Sequence, residues 1–168
     1  MASIFSFKCS CCQKVHEGSP SFSFNAPSSY SEQSEEIKQA GKLTTDLCYY
    51  KDSDGDHYFA KVMISIPIHG IQEPFRWGVW TSLSEKNYHH YLENVETTEP
   101  NTVYFGWFCN HLPYYKNTYA LAADVYPQNN GLRPILILHE ADHEFYRDFV
   151  NGITIEKAQQ IAEICMHG

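Results

Sequence analysis

Two stretches in the middle of the chain alternate between apolar and other side chains with the two-residue period of a β-strand. The first, His57 to Ile68, is apolar in places on both faces and ends at Pro67. The second, Phe75 to Ser84, carries Trp77 on one face and Trp80 on the other. Because a strand with apolar residues on both faces is covered on both sides, these stretches predict the centre of a β-sheet.

The remaining periodic segments predict shorter strands and helices around this centre. The predicted strands are residues 44–51, 103–112, 118–126 and 132–139, and the predicted helices are residues 31–40, 84–95, 143–150 and 154–166. Successive strands, with helices between them and at the end, favour an α+β fold. We predict one domain over residues 1–168, with helices packed on a mainly antiparallel sheet of about five or six strands.

The composition argues against several classes of partner. The 168 residues are 43% hydrophobic and 15% aromatic, which is a globular composition. Twenty acidic residues against twelve basic ones give a net charge of −8, without any run of lysine or arginine. Nucleic acids and anionic membranes both reward clustered basic residues, so neither is expected as the main partner.

The amino-terminal residues show no basic segment followed by a long apolar one. No segment approaches about eighteen uninterrupted apolar residues either. We therefore expect neither a signal peptide nor a membrane span, and we expect the protein in the cytoplasm. In that reducing compartment, the six cysteines are expected to be metal ligands or buried thiols rather than disulfides.

A cysteine-rich loop near the start of the chain carries the clearest candidate chemistry. Cys9 and Cys12 are three residues apart, and His16 follows four residues later. Two thiolates at about 2.3 Å and an imidazole nitrogen at about 2.0 Å suit one zinc ion. Residues 1–20 are therefore predicted to form a zinc knuckle that is integrated with the sheet.

A structural zinc ion needs a fourth protein ligand, and the loop alone does not decide which residue supplies it. Cys48 is the favoured candidate, because its predicted strand can return beside the loop. Cys11 can replace either neighbouring cysteine, and Cys165, followed closely by His167, is the rival from the other end of the chain. Alternatively, the cysteines are small buried hydrophobic residues.

The sequence His139-Glu-Ala-Asp-His143 is a literal H-E-x-x-H motif. On a helix, its histidines would bind zinc, Glu140 would act as general base, and Glu163 could be a third ligand. The apolar run 135–138 leads directly into His139, which predicts a strand and not the first turns of a helix. The spacing of the two histidines on one helical face is then lost, so this interpretation is the weaker one.

The chain has more large aromatic residues than one small core easily holds. A surplus of exposed tryptophan and tyrosine is typical of a contact surface. The residues predicted to form a partner surface are Trp77, Trp80, Trp107 and Tyr115. A negatively charged domain with aromatic anchors suits a basic protein partner.

Several motifs follow one another in the order of a known family. They are Cys9-x-x-Cys12-x3-His16, Asp46-Leu47-Cys48, Phe75-x-Trp77-Gly78-Val79-Trp80-x-Ser82-Leu83-Ser84, Gly106-Trp107-x-Cys109-Asn110-x-Leu112-Pro113-x-Tyr115, Arg133-Pro134, His143 and Gly152-Ile153-Thr154. From about residue 7 to residue 160, the chain resembles the bacterial family of domain of unknown function 2199.

This resemblance implies a bacterial cytoplasmic protein and supports Cys9, Cys12, His16 and Cys48 as one ligand set, since all four fall on family motif positions. His139 and Glu140 do not, which weakens the hydrolase interpretation. Gln13 stands where the family has a glycine after the knuckle. The resemblance brings no activity with it.

Three functional hypotheses follow from the sequence. The favoured one is a non-enzymatic protein-binding domain with a structural zinc site, for example an immunity or regulatory protein that blocks a basic partner such as a secreted nuclease toxin. The second is a zinc hydrolase that uses His139, Glu140 and His143. The third is a redox or metal sensor built on the Cys9–Cys12 cluster, whose thiolates would be the reactive form.

Overall fold

The computed structural model describes residues 3–168, which contain ten strands and five helices. The strands are β1 (Ser6–Lys8), β2 (Val15–Glu17), β3 (Ser21–Ser23), β4 (Lys42–Leu43), β5 (Leu47–Asp52), β6 (Gly55–Ile66), β7 (Phe75–Leu83), β8 (Tyr104–Trp107), β9 (Ala122–Tyr126) and β10 (Ile135–Leu138). The helices are α1 (Ser28–Ser31), α2 (Glu35–Ala40), α3 (Glu85–Glu93), α4 (Glu144–Asn151) and α5 (Ile155–His167). The predicted mixture of helices and strands is confirmed.

The main sheet is larger than predicted and is mixed. Eight strands belong to it: six follow the order β3-β7-β6-β10-β9-β8, and β4 and β5 branch from β6. The pairs β3–β7 and β6–β10 are parallel, and the others are antiparallel. The prediction of five or six mainly antiparallel strands was therefore wrong in number. The missed strands β3 and β4 have only three and two residues, too short for a periodic signal.

The last strand in this order, β8, lies beside β7. Thr81 pairs with Phe108 directly after β8, and the backbone N–H of Cys109 donates to the carbonyl oxygen of Trp80 at 2.9 Å. The N–H of Trp107 also donates to the hydroxyl of Ser82 at 3.1 Å. Strands β7, β6, β10, β9 and β8 thus form a closed ring, which leaves few exposed edges.

The two central strands β6 and β7 separate two apolar clusters. On one face, Val62, Phe75 and Trp77 belong to the main core, which α5 also covers. On the other face, Phe59 and Trp80 belong to a smaller cluster. Strands β6 and β7 are therefore covered on both sides, as their hydrophobic pattern predicted.

The amphipathic helices end close to their predicted bounds. The side chain of Ser84 accepts a hydrogen bond from the N–H of Asn87 at the start of α3, and Thr154 does the same for Lys157 in α5. The predicted helix 31–40 is shorter: α2 covers its second half and ends before Gly41 as predicted, and α1 overlaps it only at Ser31. Within residues 3–168, no helix combines the length and apolar character needed to cross a membrane.

Candidate metal centre

The cysteine loop that carries the candidate ligands connects the two strands of the β1–β2 hairpin. The register places His16 directly opposite Phe7, with their ring centroids 5.3 Å apart. Phe5 and Phe7 are buried in the main core. Because paired residues of an antiparallel sheet share one face, this anchoring holds the imidazole beside the loop.

The loop between the strands is a tight turn around Cys9. The N–H of Cys9 donates to the carbonyl oxygen of Lys14 at 2.8 Å. The N–H of Gln13 donates to the carbonyl oxygen of Cys9 at 3.0 Å. Gln13 has a positive φ of 62°, a conformation that glycine adopts without strain. Its side-chain amide donates to the carbonyl oxygen of Ser10 at 3.0 Å. The chain therefore makes this turn with a glutamine.

Cys9, Cys12 and His16 bring their donor atoms together. One ligand atom from each lies within 4.8 Å of the other two, and Cys12 Sγ is 3.6 Å from His16 Nε2. Sulfur at about 2.3 Å and nitrogen at about 2.0 Å from one tetrahedral zinc ion would themselves be about 3.5 Å apart. Three of the four predicted ligands thus fit one ion.

The environment of the Cys9 sulfur favours the thiolate. Burial would raise the pKa of this thiol, but the backbone N–H groups of Cys12 and Cys11 lower it below the ordinary value. The N–H of Cys11 lies 3.4 Å from Cys9 Sγ. Since the thiolate is the form that binds metal, the backbone of the loop prepares Cys9 as a ligand.

Helix α5 holds the loop in place from the other end of the chain. The N–H of Ser10 donates to Glu163 Oε1 at 2.8 Å, and its hydroxyl donates to Oε2 at 2.7 Å. The side-chain amide of Gln159 donates to the same Oε1 at 3.0 Å and to the carbonyl oxygen of Lys8 at 3.3 Å. These contacts lower the pKa of Glu163, chiefly through the backbone N–H of Ser10. This contact joins residues 153 positions apart, and no local pattern predicts it.

A second group of three donors overlaps the first. Cys9, Cys11 and His167 also lie within 4.8 Å of one another. A cavity of about 530 Å³ adjoins them and is lined by Cys11, Glu163 and His167, among others. Of the two candidate ligands at the end of α5, His167 lies beside the knuckle, whereas Cys165 is in neither group of donors.

Cys48 is not part of this centre. It is fully buried opposite Phe59 in the smaller cluster, with Cys109 and Trp80. Burial raises the pKa of the Cys48 thiol to about 12. The prediction of Cys48 as fourth ligand is therefore not met, because the β5–β6 register turns this side chain away from the main core. Cys165, the rival, packs against the main core, and burial raises the pKa of its thiol to about 11.

The two histidines of the H-E-x-x-H sequence do not share a helix. His139 follows β10 and lies 2.7 Å from the Asp124 carboxylate through Nε2. His143 is the N-cap of α4, where its Nδ1 accepts from the N–H of Phe145 at 3.0 Å. The hydrolase geometry is absent from the described residues, and Glu163 points to Ser10 instead. The motif is accidental because a strand leads into it.

Most of the predicted partner surface lies inside the protein. Trp77 and Trp80 are fully buried on opposite faces of β7. Tyr115 is also buried, and its hydroxyl donates to Asp148 Oδ2 at 2.6 Å. Only Trp107 is exposed, at 47%. The prediction of an exposed aromatic surface was wrong for the other three residues. It assumed a single core, whereas the structure has a second buried cluster that holds Trp80.

The structure exposes a different apolar surface on the outer face of β8, β9 and β10, here called the β8–β10 face. The aligned register of these strands gathers exposed large residues there. They are Phe105, Trp107, Tyr126, Ile135 and Ile137. The His139–Asp124 pair lies on the same face, with the His139 ring 5.5 Å from that of Phe105. This face could not be predicted from the sequence, since the four consecutive apolar residues 135–138 do not show which two point outwards.

Comparison with known proteins gives a family and no activity. No curated protein and no solved structure matched the chain. One family model, described as an uncharacterized protein conserved in bacteria, matches residues 8–153. The match covers Cys9, Cys12 and His16, the main sheet and α4, whereas the whole of α5, including Glu163 and His167, lies beyond it. The chain therefore belongs to the bacterial family DUF2199.

Proposed function

We propose that this chain is a zinc-binding domain whose ion is held by Cys9, Cys12 and His16 and stabilises the knuckle. The observation that carries the proposal is the fit of the three donors to one ion, above all the 3.6 Å from Cys12 Sγ to His16 Nε2. Two soft thiolates and an imidazole select zinc over magnesium or calcium.

A structural role fits the surroundings better than a catalytic one. Three protein donors leave one zinc position open, as in a catalytic site, but a hydrolase would also need a free base beside that position. The carboxylate that touches this loop, Glu163, is already bonded to Ser10 and Gln159. An ion that ties Cys9 to His16 would cross-link the loop to β2 and so stabilise it.

The test is the zinc content and melting temperature of the untagged protein and its Cys12→Ser variant. We expect bound zinc in the wild type, loss of that zinc in Cys12→Ser, and a lower melting temperature. Cys165→Ser is the matched control, because Cys165 is a half-buried thiol outside this ligand set. Equal zinc in Cys12→Ser and wild type would refute the proposal.

A second candidate function is protein binding through the β8–β10 face. Its support is the cluster of exposed aromatic and aliphatic residues on three adjacent strands, since such patches mark interaction sites. Aromatic anchors such as Trp107 suit the centre of an interface. The net charge of −8 favours a basic protein, such as a toxin that an immunity protein blocks.

The binding hypothesis is tested with basic proteins encoded beside the gene. Affinity for such a protein should fall at least tenfold in Trp107→Ser, because truncated anchor residues typically cost about 2 kcal/mol or more. The control is Leu43→Ser, an exposed apolar residue on the separate strand β4. Equal loss in both variants, or no loss in either, would count against the β8–β10 face.

The sensor hypothesis uses the same thiolates as the zinc site. Its support is the half-exposed Cys12 beside a Cys9 whose pKa is lowered by backbone N–H groups, after the opposing effect of burial. It predicts release of zinc under mild oxidant. Zinc retained after such treatment would leave the stabilising role alone.

A further inference from the structure

Four side chains that could bind a metal surround the sulfur atom of Cys9. Cys9 shares one group with Cys12 and His16 and another with Cys11 and His167. The three cysteines come from the loop between β1 and β2, His16 comes from β2, and His167 comes from the last turn of α5. The arrangement joins the two ends of the described chain.

One ion does not satisfy all five donors. Zinc binds four ligands, and neighbouring ligand atoms around it lie about 3.5–3.8 Å apart. Here the donors separate into two sets of three that have only the Cys9 sulfur in common. Each set suits one ion with an open position, and a thiolate sulfur has enough lone pairs to bind two ions.

We propose that Cys9, Cys11 and His167 form a second metal position, so that the Cys9 thiolate bridges two thiophilic ions. This inference rests on the proposed zinc site and adds a second ion to it. The ligand chemistry of two thiolates and one imidazole takes zinc or monovalent copper and rejects hard cations such as magnesium.

Charge and access both support a second ion. Metal binding deprotonates its thiol ligands, so Cys9, Cys11 and Cys12 together with the carboxylate of Glu163 would supply four negative charges, which equal the charge of two divalent ions. Glu163 lines the same cavity of about 530 Å³ as Cys11 and His167. Cys11 and His167 are both exposed, so an ion can reach the second position from solvent without opening the core.

The test is native mass spectrometry of the reduced, untagged full-length protein titrated with Zn²⁺. We expect two ions in the wild type and one in Cys11→Ser or His167→Gln, with affinity for the second ion at least about tenfold lower. Cys12→Ser and His16→Gln should also retain one ion, held by the outer set. Cys165→Ser, two residues from His167, is the control and should bind two.

Each contrary outcome has a separate meaning. A wild type that binds one ion, unaffected by Cys11→Ser, overturns the second position and leaves the proposed zinc site intact. One ion whose affinity falls in Cys11→Ser or His167→Gln also overturns it, because these residues would then serve the first ion. A wild type that binds no zinc refutes the proposed site and the second position together.

Discussion

Ser10 gives both of its hydrogen-bond donors to the single carboxylate of Glu163. The backbone N–H lies 2.8 Å from Oε1, and the hydroxyl lies 2.7 Å from Oε2. Ser10 sits between Cys9 and Cys11, so this contact fixes the loop that carries the thiolates. The geometry of the cysteine loop therefore depends on a helix that is far away in the chain.

Replacing Glu163 with glutamine should weaken the knuckle. A glutamine side chain has only one acceptor oxygen, so it cannot accept from both donors of Ser10 in the same way. We expect a lower melting temperature and faster hydrogen exchange at Ser10 near neutral pH. Glu140→Gln, at an exposed position after β10, should leave both unchanged. Equal behaviour of the two variants would show that the contact contributes nothing.

The same contact should make the loop sensitive to acid. The pKa of Glu163 is lowered in the folded protein, mainly by the backbone N–H of Ser10. The stabilisation is therefore complete above the ordinary value of 4.5 and is lost as the pH falls through the lower folded value. The difference in melting temperature between wild type and Glu163→Gln should shrink to zero in that range. A difference that is constant down to low pH would contradict the linkage.

A buried hydroxyl supports α4 from the β8–β9 connection. Tyr115 donates to Asp148 Oδ2, the oxygen that also lies 2.6 Å from Lys157 Nζ. Tyr115→Phe should lower the free energy of unfolding by about 2 kcal/mol, because hydrogen bonds to charged groups contribute about that much. Tyr126→Phe is the control, since Tyr126 is 43% exposed. Urea unfolding of both variants measures the difference, and equal midpoints would exclude this role for Tyr115.

The closure of the strand ring should depend on Gly106. A Cβ atom added there would lie 2.5 Å from the carbonyl oxygen of Ser82 and would also clash with the Thr81 hydroxyl. Since backbone atoms cannot move aside freely, Gly106→Ala should destabilise the protein by about 2 kcal/mol, as overpacking does. An unchanged denaturant midpoint would mean that β8 does not press against β7 as described.

Removing the Cys48 thiol should affect stability and leave the metal in place. Cys48 packs fully buried in the smaller cluster, so Cys48→Ala should lose about 1 kcal/mol, as does removal of one buried methyl-sized group. Its zinc content should equal that of the wild type. Loss of zinc in Cys48→Ala would restore the ligand assignment made from the sequence.

The sequence was informative where the chemistry is local. Cys9, Cys12 and His16 lie within eight residues of one another in the chain, and a single hairpin brings them together. Strands β6 and β7 were predictable because their apolar residues alternate over nine or more positions. Both patterns can be recognised in a short stretch of sequence, without knowing how distant segments pack.

The rest depended on contacts between distant segments. The face on which Cys48 lies follows from the β5–β6 register, and a shift by one residue would reverse it. The burial of Trp80 required the second cluster, which segments far apart in the chain assemble. Glu163 is one of several charged residues on α5, and only the docking of that helix selects it as the partner of Ser10. Such information is absent from any single stretch of sequence.

Zinc-edge X-ray absorption of the purified protein examines the proposed ligands most directly. At the Cys9–Cys12–His16 site, we expect sulfur neighbours at about 2.3 Å together with nitrogen at about 2.0 Å. The sulfur contribution should fall in Cys12→Ser and stay unchanged in Cys48→Ala. A spectrum with only nitrogen and oxygen neighbours, or a protein that binds no zinc, would contradict the proposed metal centre.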